Sequence, residues 1–238
     1  MINKTLIVLC ALLMMACGKK EQDLIVKGHV EGLRKGTIYL KKMNDSALVS
    51  VDSAAINGNS NFELGSALES PQIFYLYLDK NSKEDDRIAF FADKGITEIH
   101  TSLKNFVFGA KIKGSVQQDT YAEYQEVILK LNNENLTLIE AQLNAQREGN
   151  SQLLDSLSAR RDNLIKRRYL YAVNFAINHN DSEVAPYIAL ADIYDARYKL
   201  LDTINKSLTP KVKASKYGKA LDKFLEDIRK NEQPSDGD

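Results

Sequence analysis

From Leu24 to about Gly114, apolar and polar residues alternate with period two, and turn-forming residues recur at short intervals. The segments DLIVKGHV, GTIYLKK, ALVSVDSAAI, NFELG, PQIFYLYLD, RIAFFAD, ITEIHTS and FVFGAKIKG read as eight short strands. Gly32, Gly36, Asn57-Gly58, Pro71, Asn81, Lys94-Gly95 and Gly109 separate them. Regular short strands of this kind predict an antiparallel β-sandwich or barrel over residues 24–114. Asn57-Gly58, between Ile56 and Phe62, is a tight-turn signal.

Near Ser115 the period changes to that of a helix and stays so to Lys230. Tyr124, Val127, Leu131, Leu138, Ala141 and Ala145 form one stripe, with Glu134 at its polar position. Leu154, Leu157, Leu164, Tyr171 and Phe175 form a second, interrupted by Arg161 and Arg168. The break Arg147-Glu148-Gly149-Asn150-Ser151 between them is short, so the two long helices are expected to fold back as an antiparallel hairpin. Counting outward from Gly149, Glu134 is expected to meet Arg161 or Arg168 across the seam. Asp181 or Ser182 can cap a third helix, with Pro186 in its first turn and Val184, Tyr187, Ile188, Ala191, Tyr194, Tyr198 and Leu201 on its buried face. Thr209-Pro210 opens a last helical stretch with Tyr217, Leu221, Phe224, Leu225 and Ile228 as its stripe. The pattern therefore predicts an α+β chain, with a sandwich or barrel followed by an all-α domain over residues 115–230 and a polar tail at 231–238.

The beginning of the chain carries an address. Met1 to Lys4 is short and positively charged, Leu6 to Met15 is an unbroken apolar run, and Ala16 and Cys17 follow. This is the order of an export signal. Ten residues rise only about 15 Å as a helix, half of a ~30 Å hydrocarbon layer, so the run is too short for a permanent membrane helix. The stretch Leu13-Met14-Met15-Ala16-Cys17-Gly18 resembles the lipobox of bacterial lipoproteins. That resemblance implies removal of residues 1–16 and acylation of Cys17, which anchors the chain to membrane lipid. Residues 17–23 then serve as a polar tether. Gly18, rather than Asp, follows the cysteine, which in such signals implies the outer membrane.

Composition narrows the chemistry. The 238 residues contain 32 Lys plus Arg and 32 Asp plus Glu, so no net field favours nucleic acid. Once Cys10 leaves with the signal and Cys17 is modified, the body has no thiol for a disulfide, a redox couple or a metal site. His29, His100 and His179 lie in separate elements without ligand spacing. Glu123 with Glu126, and Asp192 with Asp195, read as solvated helix faces. In the basic cluster Arg160, Arg161, Lys166, Arg167 and Arg168, pairing of Asp162 with Lys166 accounts for part of the charge. No phosphate loop, nucleophile elbow or zinc helix is present. With 11 Tyr, 8 Phe and no Trp, the aromatic residues, among them Tyr39, Tyr75 and Tyr77, are expected in cores or interfaces rather than in a sugar site.

Gly28-His29-Val30, Gly36-Thr37-Ile38-Tyr39-Leu40, Asn61-Phe62-Glu63-Leu64, Phe90-Phe91-Ala92-Asp93-Lys94-Gly95 and Ile112-Lys113-Gly114-Ser115 together resemble an uncharacterised extracytoplasmic domain of Bacteroidota lipoproteins. In that family the domain commonly precedes a thioredoxin-like domain of the alkyl hydroperoxide reductase and thiol-specific antioxidant type. The helical half is similar to the linker between the two, chiefly at Asp181-Ser182 and Ser215-Lys216-Tyr217-Gly218-Lys219. The redox domain would begin near Asn231, whereas this chain ends at Asp238, so the resemblance implies the front module without the catalytic one. Together these readings give the expectation of a lipid-anchored envelope protein that binds or scaffolds, is not an enzyme and uses no cofactor. The alternative expectation is an accessory that docks a separate thioredoxin-like oxidoreductase.

Overall fold

The computed structural model describes residues 22–45, 47–78 and 86–232. The segment expected to be a signal, Cys17, most of the expected tether and residues 233–238 lie outside the described residues. Eight strands occupy the N-terminal part: β1 (Leu24–Glu31), β2 (Lys35–Asn44), β3 (Ala47–Asn57), β4 (Asn61–Ser66), β5 (Gln72–Tyr77), β6 (Arg87–Ala92), β7 (Gly95–Ser102) and β8 (Lys111–Lys113). They form two four-stranded sheets in the orders β4-β1-β7-β8 and β3-β2-β5-β6. Alternation explains their core, because Leu24, Val26 and Val30 of β1 turn inward with Ile38, Leu40, Phe74, Leu76 and Phe90 of the other sheet.

Three features depart from the sequence expectation. β1 pairs with β7 in parallel, from Leu24 opposite Gly95 to Glu31 opposite Ser102, so the sandwich is not purely antiparallel. Asn57-Gly58 makes its turn, but the chain crosses there from one sheet to the other instead of closing a hairpin within one. The last expected strand is reduced to Lys111–Lys113, because Leu103–Asn105 coils into a short helical turn tied down by Thr101, whose hydroxyl donates to the Phe106 carbonyl at 2.7 Å.

Six helices follow: α1 (Val116–Arg147), α2 (Ser151–Asn178), α3 (Val184–Ala191), α4 (Tyr198–Ser207), α5 (Pro210–Lys213) and α6 (Lys216–Glu232). The hairpin of α1 and α2 forms as expected. Gly149, at φ +67°, supplies the left-handed turn, and Asn150 caps α2 by accepting from Leu153 N at 3.0 Å. The register across the seam differs from expectation. Glu134 pairs with Arg167 at 3.5 Å, and Arg161 donates to Asn135 Oδ1 at 3.2 Å instead. Arg168 turns toward Tyr124 and Asp192 near the sheet end of the hairpin. Glu134 sits on the exposed shoulder of α1, which brings it to the arginine one position along from the seam residue. Asp162 and Lys166 form no ion pair among the described residues.

The third expected helix is split in two. It stops at Ala191, and α4 begins only at Tyr198. The break fully buries Ile193, leaves Tyr194 60% exposed, and lets Asp195 accept from the Tyr169 hydroxyl at 2.6 Å. Asp192 and Asp195 consequently do not share a helix face. Asp192 is half-buried beside Tyr124 and Arg168, and burial lifts its carboxyl above the ordinary range despite both neighbours. Among the described residues no helix is long and apolar enough to cross a membrane.

The two parts share a core. Every residue of β5 is buried or nearly so, because its sheet is covered on both faces. Phe74 and Leu76 enter the sandwich, while Ile73 and its cross-strand neighbour Phe91 enter the helical core. The architecture is therefore three layers, sheet, sheet and helices.

Candidate functional site

The junction between the middle sheet and the helices is built around one ring. Phe91 meets Tyr121, Tyr187 and Tyr217 edge-on, with centroids 5.9, 5.5 and 5.9 Å away. Burial pushes the Tyr121 phenol up to about 12, and those of Tyr187 and Tyr217 are raised further by the same cause. These hydroxyls are structural donors and acceptors at neutral pH. Tyr217 Oη accepts from Ile73 N at 3.0 Å, and the side-chain oxygen of Gln118 accepts from Phe91 N at 2.8 Å, so β5 and β6 are each bonded to a helix through a main-chain amide.

The motif Ser215-Lys216-Tyr217-Gly218-Lys219 opens α6 on this junction. Ser215 Oγ donates to Val212 O at 2.7 Å and accepts from Gly218 N at 3.3 Å, which caps the helix. A methyl group on Gly218 would lie 2.1 Å from Val212 O, so only glycine lets α5 approach. Lys216 Nζ reaches back to the sheet, donating to Met43 O at 2.8 Å and to Gln72 Oε1 at 2.6 Å. Its backbone N donates to Ser70 Oγ at 3.3 Å. Lys42 Nζ donates to Ala67 O at 3.2 Å and lies 5.8 Å from the Phe74 ring centre.

Together these contacts leave a cleft of about 610 Å³ between the end of β2, the loop after β4 and the start of α6. Its charged lining is Lys42, Lys216, Lys219 and Glu69, with Asn44, Ser70 and Gln72 as neutral polar groups. Burial, and next the charge of Lys42, hold the Lys216 ammonium below its ordinary range, against the pull of Asp45 and Glu69. Crowded ammonium groups beside hydrogen-bonding side chains are suited to holding an anionic group. The residues are dispersed at positions 42, 69 and 216–219, and only docking of α6 on the sheet assembles them.

The other sequence candidates fall elsewhere. His29 and His100 are opposite one another in the parallel β1–β7 register, a proximity that their sequence separation conceals. His29 Nδ1 lies 2.8 Å from Asn61 Oδ1, and His100 borders an open groove of about 460 Å³ with Lys27, Glu63 and Glu98. His179 ends α2 and stacks on Phe175, its ring centre 4.0 Å away. Among the described residues no three His, Cys, Asp or Glu side chains gather as a metal site. Glu126 pairs with Lys130 at 2.7 Å on the helix surface. Ser182, the other singled-out linker residue, donates to Gln117 Oε1 at 2.5 Å and accepts from Val184 N at 3.2 Å, joining the starts of α1 and α3. Beside it Glu183 is 2% exposed, and its Oε2 has no hydrogen-bond partner. Burial raises the Glu183 carboxyl above the usual range; Lys211 opposes this, while Asp93 and Asp181 add to it.

Residues 24–121 match a family described as Domain of unknown function (DUF4369). The match takes in both sheets and continues into the first turns of α1, through Ser115, Gln118 and Tyr121. Ser115 Oγ donates to Asp93 Oδ2 at 3.0 Å, and Asp93 Oδ2 also accepts from Gln117 N at 3.1 Å. The DUF4369 span thus carries the β-side half of the junction, and the lysines of α6 lie outside it. No curated protein matches the chain.

Proposed function

We propose that this protein is a lipid-anchored binding or scaffolding protein of the cell envelope, without chemistry of its own, and that the junction cleft holds an acidic group of its ligand. The single observation that carries the reading is the lining of the 610 Å³ cleft, in which three lysines face one carboxylate. Such a set can hold and orient a carboxylate or phosphate. Among the described residues that line the cleft, Glu69 is the one carboxylate. The anchor rests on the signal pattern ending in Cys17, and acyl chains at about 0.8 kcal/mol per buried methylene would make attachment durable.

The expected result for the anchor is that the chain fractionates with outer membranes and that Cys17→Ala releases it. For the cleft, titration with succinate and with inorganic phosphate should move the Lys216 and Lys219 amide signals saturably. Lys219→Glu should abolish the response. Absence of any shift with either anion would contradict the cleft assignment, and turnover of a substrate lost with one cleft substitution would contradict the non-enzymatic reading. A second reading is docking of a separate thioredoxin-like oxidoreductase. It is favoured by the position of Lys216 and Lys219, two of the residues that carry the linker resemblance, at this cleft. It requires co-purification of such an enzyme that Lys219→Glu weakens.

A further inference from the structure

The start of β1 and the lysine cleft meet at one peptide group. Asp23, the residue before β1, accepts from Leu68 N through Oδ2 at 3.0 Å, and Lys42 Nζ donates to Ala67 O at 3.2 Å. Leu68 N and Ala67 O belong to the same amide, so the Lys42 ammonium lies within about 9 Å of the Asp23 carboxylate. Ala67, Glu69 and Ser70 of this loop line the cleft. Asp23 is held on its other side as well, because its Oδ1 pairs with Lys94 at 2.9 Å and its carbonyl accepts from Gly95 N at 2.7 Å. The point at which the chain enters the sandwich is therefore fixed beside the cleft.

Topology brings these parts together. Leu24 opposite Ser66 and Gly95, and Gln72 opposite Ala92, put the starts of β1, β5 and β7 and the ends of β4 and β6 at one end of the sandwich. β2 runs antiparallel to β5, with Lys42 opposite Phe74, and so finishes at that end too. The same end leaves apolar side chains in water. Ile96, next to Gly95, is 48% exposed, and Val116, next to the Ser115 that bonds Asp93, is 74% exposed.

The cleft also has unused donors. An ammonium offers three N–H groups. Lys216 uses two on Met43 O and Gln72 Oε1, Lys42 uses one on Ala67 O, and Lys219 Nζ makes no hydrogen bond or ion pair among the described residues. Building on the anchor and the anion-holding cleft proposed above, we infer that the cleft takes the phosphate of an anionic lipid headgroup, from the membrane to which Cys17 attaches the chain. The six steps from Cys17 to Asp23 span at most about 22 Å even when fully extended. Acyl chains at Cys17 thus keep the cleft close to the headgroups and raise the local concentration of lipid phosphate, an advantage that a free anion or a soluble partner lacks. Basic side chains near an anionic leaflet are attracted to it within a Debye length of ~8 Å. Held this way, the body stands on the membrane by the end that carries Ile96 and Val116, whose side chains gain by leaving water.

The test is hydrogen exchange of the purified acylated chain, compared between dodecyl maltoside micelles, which contain no phosphate, and vesicles of phosphatidylglycerol. Amides of residues 67–70 and 216–219 should exchange at least about threefold more slowly on the vesicles. Lys219→Glu should remove that protection, and Lys166→Glu, the same charge change on the hairpin, should leave it intact. Both side chains are exposed, so neither variant disturbs packing. The inference is overturned by exchange that is no slower on the vesicles, by slowing that survives Lys219→Glu or is lost equally in Lys166→Glu, or by a chain recovered from cells with Cys17 unacylated. Inorganic phosphate added to the micelles separates this inference from the reading beneath it. Slowing with phosphate but not on vesicles would mean that a free anion or the acidic group of a soluble partner occupies the cleft, which sinks the lipid assignment alone. No slowing with either would sink the anion-holding cleft as well.

Discussion

The two ends of the same pair of helices are held by different means. Near the sheet, Tyr121, Tyr124 and Ile128 of α1 and Ala172, Val173, Phe175 and Ala176 of α2 are buried against each other, α3 and the aromatic residues of the middle sheet. Toward Gly149, burial shrinks to the seam residues. Helical propensity does not distinguish the ends, since each helix runs unbroken through both. The difference lies in tertiary partners. Apolar stripes of similar spacing become a fixed scaffold where a third layer covers them and an available surface where none does.

The sharpest way to break that comparison is at the shared ring. Phe91→Ala removes the side chain that three tyrosines surround, and it should cost about 3–5 kcal/mol. Sheet and helices should lose stability together in thermal denaturation followed by both far-ultraviolet and tyrosine signals. Separate transitions would mean that the layers are independent. Leu138→Ala, at the seam of the outer hairpin, should cost nearer 2 kcal/mol because a thin seam can close over the gap. A loss equal to that of Phe91→Ala would show the arm to be packed as firmly as the sheet end.

A smaller effect is expected at Glu183. Its carboxyl is raised above the usual range by burial, so the folded state favours the protonated form. That contribution is present below the unfolded value of about 4.5 and is lost as pH rises through the folded value. Glu183→Gln should therefore stabilise the protein by about 1 kcal/mol at pH 7, and the gain should fade as pH drops toward 4. A gain independent of pH would contradict the assignment. Least of all should follow from Glu134→Gln. Its pair with Arg167 is exposed and 3.5 Å long, so stability should change by no more than about 0.5 kcal/mol.

Much of this architecture was legible in local pattern. Period two gave the strands of both sheets, and the hairpin followed from two stripes around Gly149. Pairing between distant segments was not, which is why the parallel β1–β7 register and the meeting of His29 with His100 emerge only in three dimensions. The break at Asp192 was masked because Tyr194 and Tyr198 continue the helical spacing. What stops the helix is the burial of Ile193 and the Tyr169–Asp195 bond, both tertiary. For the same reason the cleft could not be read from the sequence, since Lys42 lies far along the chain from Lys216 and Lys219. The near-continuous apolar runs of β5 and β6 did carry one usable signal, that of strands covered on both faces.

Hydrogen exchange along α1 tests the contrast between scaffold and arm most directly. Amides around Leu136 to Leu143 should exchange at least about tenfold faster than those from Tyr121 to Ile128. Uniform protection along the helix would contradict the contrast.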